Sequence, residues 1–95
     1  MNLNIEISEE EIELFHRFIG QRVKQLRQKQ GLSQLQLALA MGFNSVSSIA
    51  KAEIGIECKH FNLEHLYKIA KILEIDLCDF IQEDDKHTGF PPSRE

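Results

Sequence analysis

The sequence has little of what several protein classes require. Its 95 residues include two cysteines, Cys58 and Cys78, which are too few for a disulfide framework and are typical of a reduced, cytoplasmic protein. No apolar run approaches the roughly 18 residues of a membrane-spanning helix, and the N-terminus lacks the basic-then-apolar pattern of a secretory signal. Phosphate-binding loops and dinucleotide fingerprints are also missing. We therefore expect a small cytoplasmic domain with no cofactor and no enzymatic activity.

An excess of basic charge is missing too. The net charge is −4, whereas a basic patch is the usual footprint of a nucleic-acid binder. The charges are nevertheless sorted along the chain. Residues 1–16 hold five acids and no Lys or Arg, residues 17–71 hold nine Lys and Arg against three acids, and residues 72–95 hold seven acids against two basic residues. A cationic middle leaves nucleic-acid binding open, although each single charge fits an ordinary solvated face equally well.

Hydrophobic spacing over the first third of the chain predicts a strand and a long helix. Residues 2–7 alternate polar and apolar, which favours a short N-terminal strand. Ser8 and the acids after it form a capping-box pattern that starts a helix running toward Gln30, with Gly20 as a point where it could break. The expected apolar face of this helix comprises Ile12, Phe15, Ile19, Val23 and Leu26, widened by Leu14 and Phe18.

Four further helices are expected, so the predicted fold is all-α with five helices. Ser33 caps the second, Asn44 or Ser45 opens the third, Asn62 caps the fourth, and Asp76 opens a short last helix. The inward residues are expected to be Leu63, Leu66, Ile69, Ala70 and Leu73 in the fourth helix, and Leu77, Phe80 and Ile81 in the last. The polar tail, 83–95, has little to bury and is expected to be disordered.

Residues 31–53, GLSQLQLALAMGFNSVSSIAKAE, place two short helices on either side of Gly42, which is the helix-turn-helix pattern. This stretch is preceded by "GQRVKQLRQKQ" and is followed by "LEHLYKIAKILEIDLCDFI"; between them, the pattern I..AE.G ends at Gly55. With these segments, the chain resembles the Cro and phage-repressor (XRE-like) helix-turn-helix regulators over about residues 19–82. The resemblance implies a repressor-like domain at 19–82, with 1–18 as an N-terminal extension. Two departures are one extra residue before Ile49 and a longer 54–61 loop.

The resemblance implies sequence-specific binding of double-stranded DNA, with a recognition helix at about 45–52 in the major groove. The expected DNA-contacting residues are Gln34, Asn44, Ser45, Val46, Ser47 and Lys51. Gln34 matches a family residue that bonds the DNA backbone, and Lys51 suits a guanine or a phosphate. Each has an ordinary alternative: a solvated helix residue for Gln34 and Lys51, a helix cap for Ser45, and a turn residue for Asn44.

The resemblance also gives Arg27 and Glu53 a structural role, since they match an ion pair between the first and third helices of relatives. A zinc site is not expected, because Cys58, His60, His65 and Cys78 lack paired C-x-x-C spacing. A Cys–His nucleophile lacks an orienting third group. The alternative function is a protein-interaction module, such as an antitoxin-like partner.

A homodimer is expected as well, because the apolar residues outnumber what one small core needs. The candidate N-terminal interface comprises Leu3, Ile5, Ile7, Leu14 and Phe18. The last helix is a competing interface, and folding of Leu14 and Phe18 onto the chain's own core is the alternative to a dimer.

Overall fold

In a computed structural model, residues 3–82 are described, and they form an all-helical domain as predicted. The elements are α1 (Glu9–Lys29), α2 (Gln34–Ala40), α3 (Ser47–Ile54), α4 (Leu63–Leu73) and a 3₁₀ helix (Leu77–Phe80). The fifth predicted helix is therefore a single short turn of 3₁₀ helix rather than an α-helix. The tail at 83–95, expected to be disordered, lies outside the described residues.

The N-terminal strand expected at 2–7 does not form within the described residues, because 3–8 contain no strand. A strand needs a neighbour to satisfy its backbone hydrogen bonds, and the remainder of the described chain is helical or irregular. Leu3, Ile5 and Ile7 are all exposed to solvent.

The long first helix begins and ends where its capping signals predict. The Ser8 hydroxyl accepts a hydrogen bond from the Glu11 amide at 3.0 Å, and three glutamates stabilise the positive end of the helix dipole. The helix ends at Lys29 and is followed by Gly31, whose φ of 75° lies in the left-handed region. It runs through Gly20 without a break.

The core lies under the second half of α1, and only part of the predicted apolar stripe belongs to it. Phe18 is buried in the chain's own core, whereas the expected apolar residues Ile12 and Leu14 are 46% and 64% exposed. The buried apolar residues are Phe18, Ile19, Val23, Leu26, Leu37, Ala38, Met41, Ile49, Ala52, Phe61, Leu66, Ile69, Ala70, Leu73 and Phe80. The assignment of Leu63, Leu77 and Ile81 to the buried faces is wrong, because these side chains are 77%, 40% and 51% exposed. All three line an apolar surface groove, which the described elements leave open to solvent.

Gly20 allows the backbones of α1 and α3 to come into direct contact. A Cβ atom at this position would lie 2.5 Å from the Ala52 carbonyl oxygen and 2.7 Å from that of Glu53. Only glycine permits the backbone of α3 to approach so closely. This contact fixes the position of α3 relative to the rest of the domain.

Candidate nucleic-acid interface

The turn between α2 and α3 is built from local hydrogen bonds. Ser33 caps α2 in a reciprocal capping box with Gln36, as the sequence predicts for Ser33. After α2, Gly42 takes a φ of 85°, and the Phe43 amide donates to the Ala38 carbonyl at 2.9 Å. The chain therefore turns sharply at Gly42 and leads into α3.

The third helix begins later than the sequence predicts. Ser47 is its first residue, so the expected start at Asn44 or Ser45 is wrong and the helix occupies 47–54 rather than 45–52. Val46 takes the N-cap position, where its apolar side chain cannot accept a hydrogen bond. The Ser45 hydroxyl accepts from the Ser47 amide at 3.4 Å, which stabilises the turn just before the helix.

Most of the predicted reading surface faces solvent. Asn44, Ser45 and Ser47 are exposed, and Val46 is half-buried. Ser48, which the sequence analysis left out, is also exposed beside Ser47. Three small hydroxyl side chains thus lie on the turn and the first residues of α3, where they can donate to or accept from base edges.

Glu53 joins α1, α2 and α3 through one buried carboxylate. Arg27 of α1 donates to it twice, from Nε at 2.7 Å and from Nη2 at 3.0 Å. Gln34 of α2 donates from Nε2 to the same carboxylate at 3.0 Å. Arg27 also donates from Nη1 to the Leu32 carbonyl at 2.7 Å. The paired charges satisfy each other in the interior, so breaking the pair leaves a costly buried charge.

The contact between Gln34 and Glu53 was missed by the sequence analysis, which assigned Gln34 to the DNA backbone. Gln34 is the first residue of α2 and is half-buried. Its amide nitrogen carries two hydrogens, so one hydrogen bond to Glu53 leaves a second donor. Its DNA contact therefore stays a prediction, and Glu53 holds the side chain at the N-terminus of α2.

Lys51 has a partner that the sequence did not suggest. Its Nζ atom lies 2.8 Å from Oε1 of Glu57, which follows α3 in the loop that leads to α4. The hydrogen bond from Lys51 and its positive charge hold the pKa of Glu57 below its usual value, with a smaller contribution from Lys59. The Glu57 carboxylate is thus ionised at neutral pH beside the residue that we expected to meet DNA.

The cationic middle of the chain does not form one solvated patch, because two of its arginines are buried. Arg27 belongs to the pair described above. Arg22 donates from Nε and Nη2 to the Asp79 carbonyl, at 3.0 and 2.7 Å, and from Nη1 to Gln25 at 3.1 Å. It therefore attaches α1 to the 3₁₀ helix. Its place in the sequence, three residues after Ile19 and four before Leu26, was a signal that it lies on the buried face.

A mainly apolar groove of about 320 Å³ lies between α1, α4 and the 3₁₀ helix. Phe15, Leu63 and Ile81 contribute to its walls. At one side, the rings of His16 and His60 stack with their centroids 3.7 Å apart and their planes 11° apart. Burial lowers the pKa of His16, and the positive charge of a protonated His60 lowers it further. Sequence spacing offered no signal for this pair.

Neither a metal site nor a membrane segment is found in the part of the chain that the structure describes. No group of three or more His, Cys, Asp or Glu side chains within 3–82 is arranged to hold a metal ion. Cys58 and Cys78 are free and exposed. Among the helices described, none is long and apolar enough to cross a membrane.

Comparison with known families identifies the fold. The helix-turn-helix family profile matches residues 23–80, which begin within α1 and end with the 3₁₀ helix. The chain belongs to the Cro/C1-type helix-turn-helix family. This is a DNA-binding family. No curated protein and no solved structure matches the chain.

Proposed function

We propose that this helix-turn-helix protein is a cytoplasmic transcriptional regulator that binds specific duplex DNA sites as a homodimer. The first residues of α3 and the turn before them enter the major groove. The contacting residues are those expected from the sequence: Gln34, Asn44, Ser45, Val46, Ser47 and Lys51.

The observation that carries the proposal is an exposed reading surface on a rigidly held helix. Ser45 in the turn and Ser47 at the start of α3 face solvent. The same helix is fixed from behind by the buried Glu53 carboxylate and by the close packing on Gly20. Rigid support of the residues that contact the ligand is what a specific binding site requires.

Salt dependence tests whether the protein binds DNA at all. Selection from a random duplex pool supplies a binding site, and fluorescence anisotropy measures affinity for it at increasing salt. Binding that neutralises phosphates releases counterions, so the logarithm of affinity should fall with a slope of about −0.9 per phosphate neutralised. A salt-independent affinity, or no selected sequence, contradicts the proposal.

Substitutions in α3 test where the protein reads DNA. Ser47→Ala and Lys51→Ala should each weaken binding to the selected site by about 1–3 kcal/mol, without lowering the melting temperature. Lys68→Ala is the matched control, because Lys68 also pairs with a glutamate but lies on α4, outside the motif. Unchanged binding in both α3 variants would show that other residues contact the DNA bases.

The dimer proposal rests on the apolar surface that remains uncovered. Phe18 no longer supports it, because this side chain lies in the core. Exposed candidates are the segment 3–7 before α1, Leu14 of α1, and Leu77 and Ile81, which line the apolar groove. Two-fold symmetry would require a roughly palindromic site with half-sites about 34 Å apart.

Sedimentation equilibrium decides between these surfaces and a monomer. The full chain, a variant lacking residues 1–7 and the variant Ile81→Glu are compared at the same concentration. We expect a dimer for the full chain; loss of the dimer in only one variant identifies the interface. A full-length monomer at tens of micromolar contradicts the dimer.

Protein that binds no DNA at low salt would instead favour the alternative function of a protein-interaction module, for which the apolar groove is the candidate surface.

A further inference from the structure

The loop after α3 returns an acidic side chain to the proposed recognition helix. Lys51 and Glu57 are six residues apart, a spacing that does not bring side chains together on one helix. They meet because the chain reverses after Ile54: Gly55 takes a φ of 80°, and Glu57 and Cys58 also take left-handed φ values of 55° and 56°.

The backbone of this loop is attached to Lys51 itself. The amides of Gly55 and Ile56 both donate to the Lys51 carbonyl oxygen, at 2.7 and 3.2 Å. The Lys59 amide then closes the turn by donating to the Ile56 carbonyl at 3.0 Å. The backbone of Glu57 is thus held close to the last turn of α3, and its carboxylate lies 2.8 Å from the Lys51 ammonium group.

The consequence for DNA binding follows from charge. A lysine that is paired with an ionised carboxylate offers a phosphate little net positive charge, and the carboxylate itself repels the DNA backbone. Sequence-independent affinity comes almost entirely from such phosphate contacts, whereas base-edge hydrogen bonds carry specificity. Pairing of Lys51 with Glu57 therefore weakens binding to random DNA more than it weakens binding to a site where Lys51 donates to a base acceptor.

We propose that Glu57 is a specificity-determining residue, which restrains Lys51 and suppresses sequence-independent binding to DNA phosphates. This role rests on the proposed DNA-binding function. It acts through Lys51 and not through direct contact with a base.

The test compares the full-length wild type with Glu57→Gln on random-sequence duplex and on the selected site. Glu57→Gln should bind random duplex up to about fivefold more tightly, as an exposed ion pair allows. Its salt slope on random duplex should steepen by about 0.9, equivalent to one more neutralised phosphate. Affinity for the selected site should change less, so the specificity ratio falls. Glu64→Gln is the matched control, since Glu64 pairs with Lys68 on α4 at 3.2 Å.

The double variant Lys51→Ala/Glu57→Gln shows whether the effect passes through Lys51. In the Lys51→Ala background, Glu57→Gln removes only the repulsion between its own carboxylate and the phosphates, so it should raise affinity for random duplex by much less than in the wild type; an equal gain in affinity there overturns the role of Lys51. Carboxyl NMR titration without DNA gives an independent readout. The pKa of Glu57 should rise in Lys51→Ala, and an unmoved pKa refutes the pairing. Equal binding by wild type and Glu57→Gln rejects only this inference, whereas no binding by either protein rejects the DNA-binding function as well.

Discussion

Replacing Gly20 by alanine is the most direct test of how α3 is held against α1. In an isolated helix this change is favourable, because glycine costs about 1 kcal/mol relative to alanine. In this fold the added methyl group would lie 2.5 and 2.7 Å from the carbonyl oxygens of Ala52 and Glu53. Both are backbone atoms within a helix, so they cannot rotate away as a side chain could.

The expected loss of stability follows from these two opposing effects. A carbon atom and a carbonyl oxygen normally approach to about 3.3–3.6 Å, so α3 must move outward by several tenths of an ångström or more. Overpacking of this kind costs up to about 3 kcal/mol. Subtracting the gain in helix propensity of about 1 kcal/mol leaves a net loss of up to about 2 kcal/mol. For a domain of this size, a loss of about 2 kcal/mol lowers the melting temperature by roughly 8–16 °C.

Urea denaturation followed by circular dichroism measures the change, and the slope m shows whether unfolding remains two-state. Gln21→Ala is the control, because Gln21 is the exposed neighbour of Gly20 in α1 and its replacement should change stability by about 0.5 kcal/mol or less. Binding of Gly20→Ala to the selected DNA site should also weaken, since α3 is displaced. A Gly20→Ala protein that is about 1 kcal/mol more stable than wild type would show that helix propensity alone acts here and would refute the close packing of α1 and α3.

Three further predictions concern stability. Arg27→Ala should destabilise the domain by about 3 kcal/mol or more, because it leaves the Glu53 carboxylate buried without its main partner. The double replacement Arg27→Met/Glu53→Leu should cost less than this single change, and an unchanged melting temperature in Arg27→Ala contradicts the buried pair. Asn62→Ala should cost about 1 kcal/mol in urea denaturation through loss of the α4 cap, whereas Asn44→Ala in the exposed turn should be close to neutral; equal effects would argue against the cap. Because the folded protein lowers the pKa of His16, it favours the neutral ring, so stability should fall as the pH drops from about 6.5 through the lowered pKa. His16→Phe keeps an aromatic ring and should reduce this pH dependence of the melting temperature; an unchanged dependence would assign it to another group.

Sequence alone determined the features that depend on residues close together in the chain. Ser8, Ser33 and Asn62 each cap the helix that they were expected to cap, because an N-cap hydrogen bond joins residues only three apart in the chain. The predicted start of α3 was wrong because it relied on the same local capping signal. The serine and asparagine that signalled its start lie within the turn, while the N-cap position belongs to Val46, which gives no capping signal.

The resemblance in the GLSQ stretch and its surroundings was also sufficient for the family and the all-α fold. Apolar periodicity correctly indicated the buried face in the second half of α1, at Ile19, Val23 and Leu26, but not at Ile12. It could not show how far along that face the other helices extend, because spacing within a helix carries no information about where its neighbours end. Leu14 therefore continues the predicted stripe into solvent, and Leu63 extends beyond the part of α4 that the core covers.

Tertiary structure alone decided the contacts between residues far apart in the chain. Gly20 is a weak position in an isolated helix and becomes necessary only because α3 crosses it at contact distance. The partners of Arg22 and Lys51 are also distant in the sequence, since Arg22 binds the Asp79 carbonyl and Lys51 pairs with Glu57. These partners are brought together by the reversal of the chain after α3 and by its return to α1. The free charge that remains at the proposed DNA-binding surface is therefore a property of the folded domain, which the charge count along the chain does not contain.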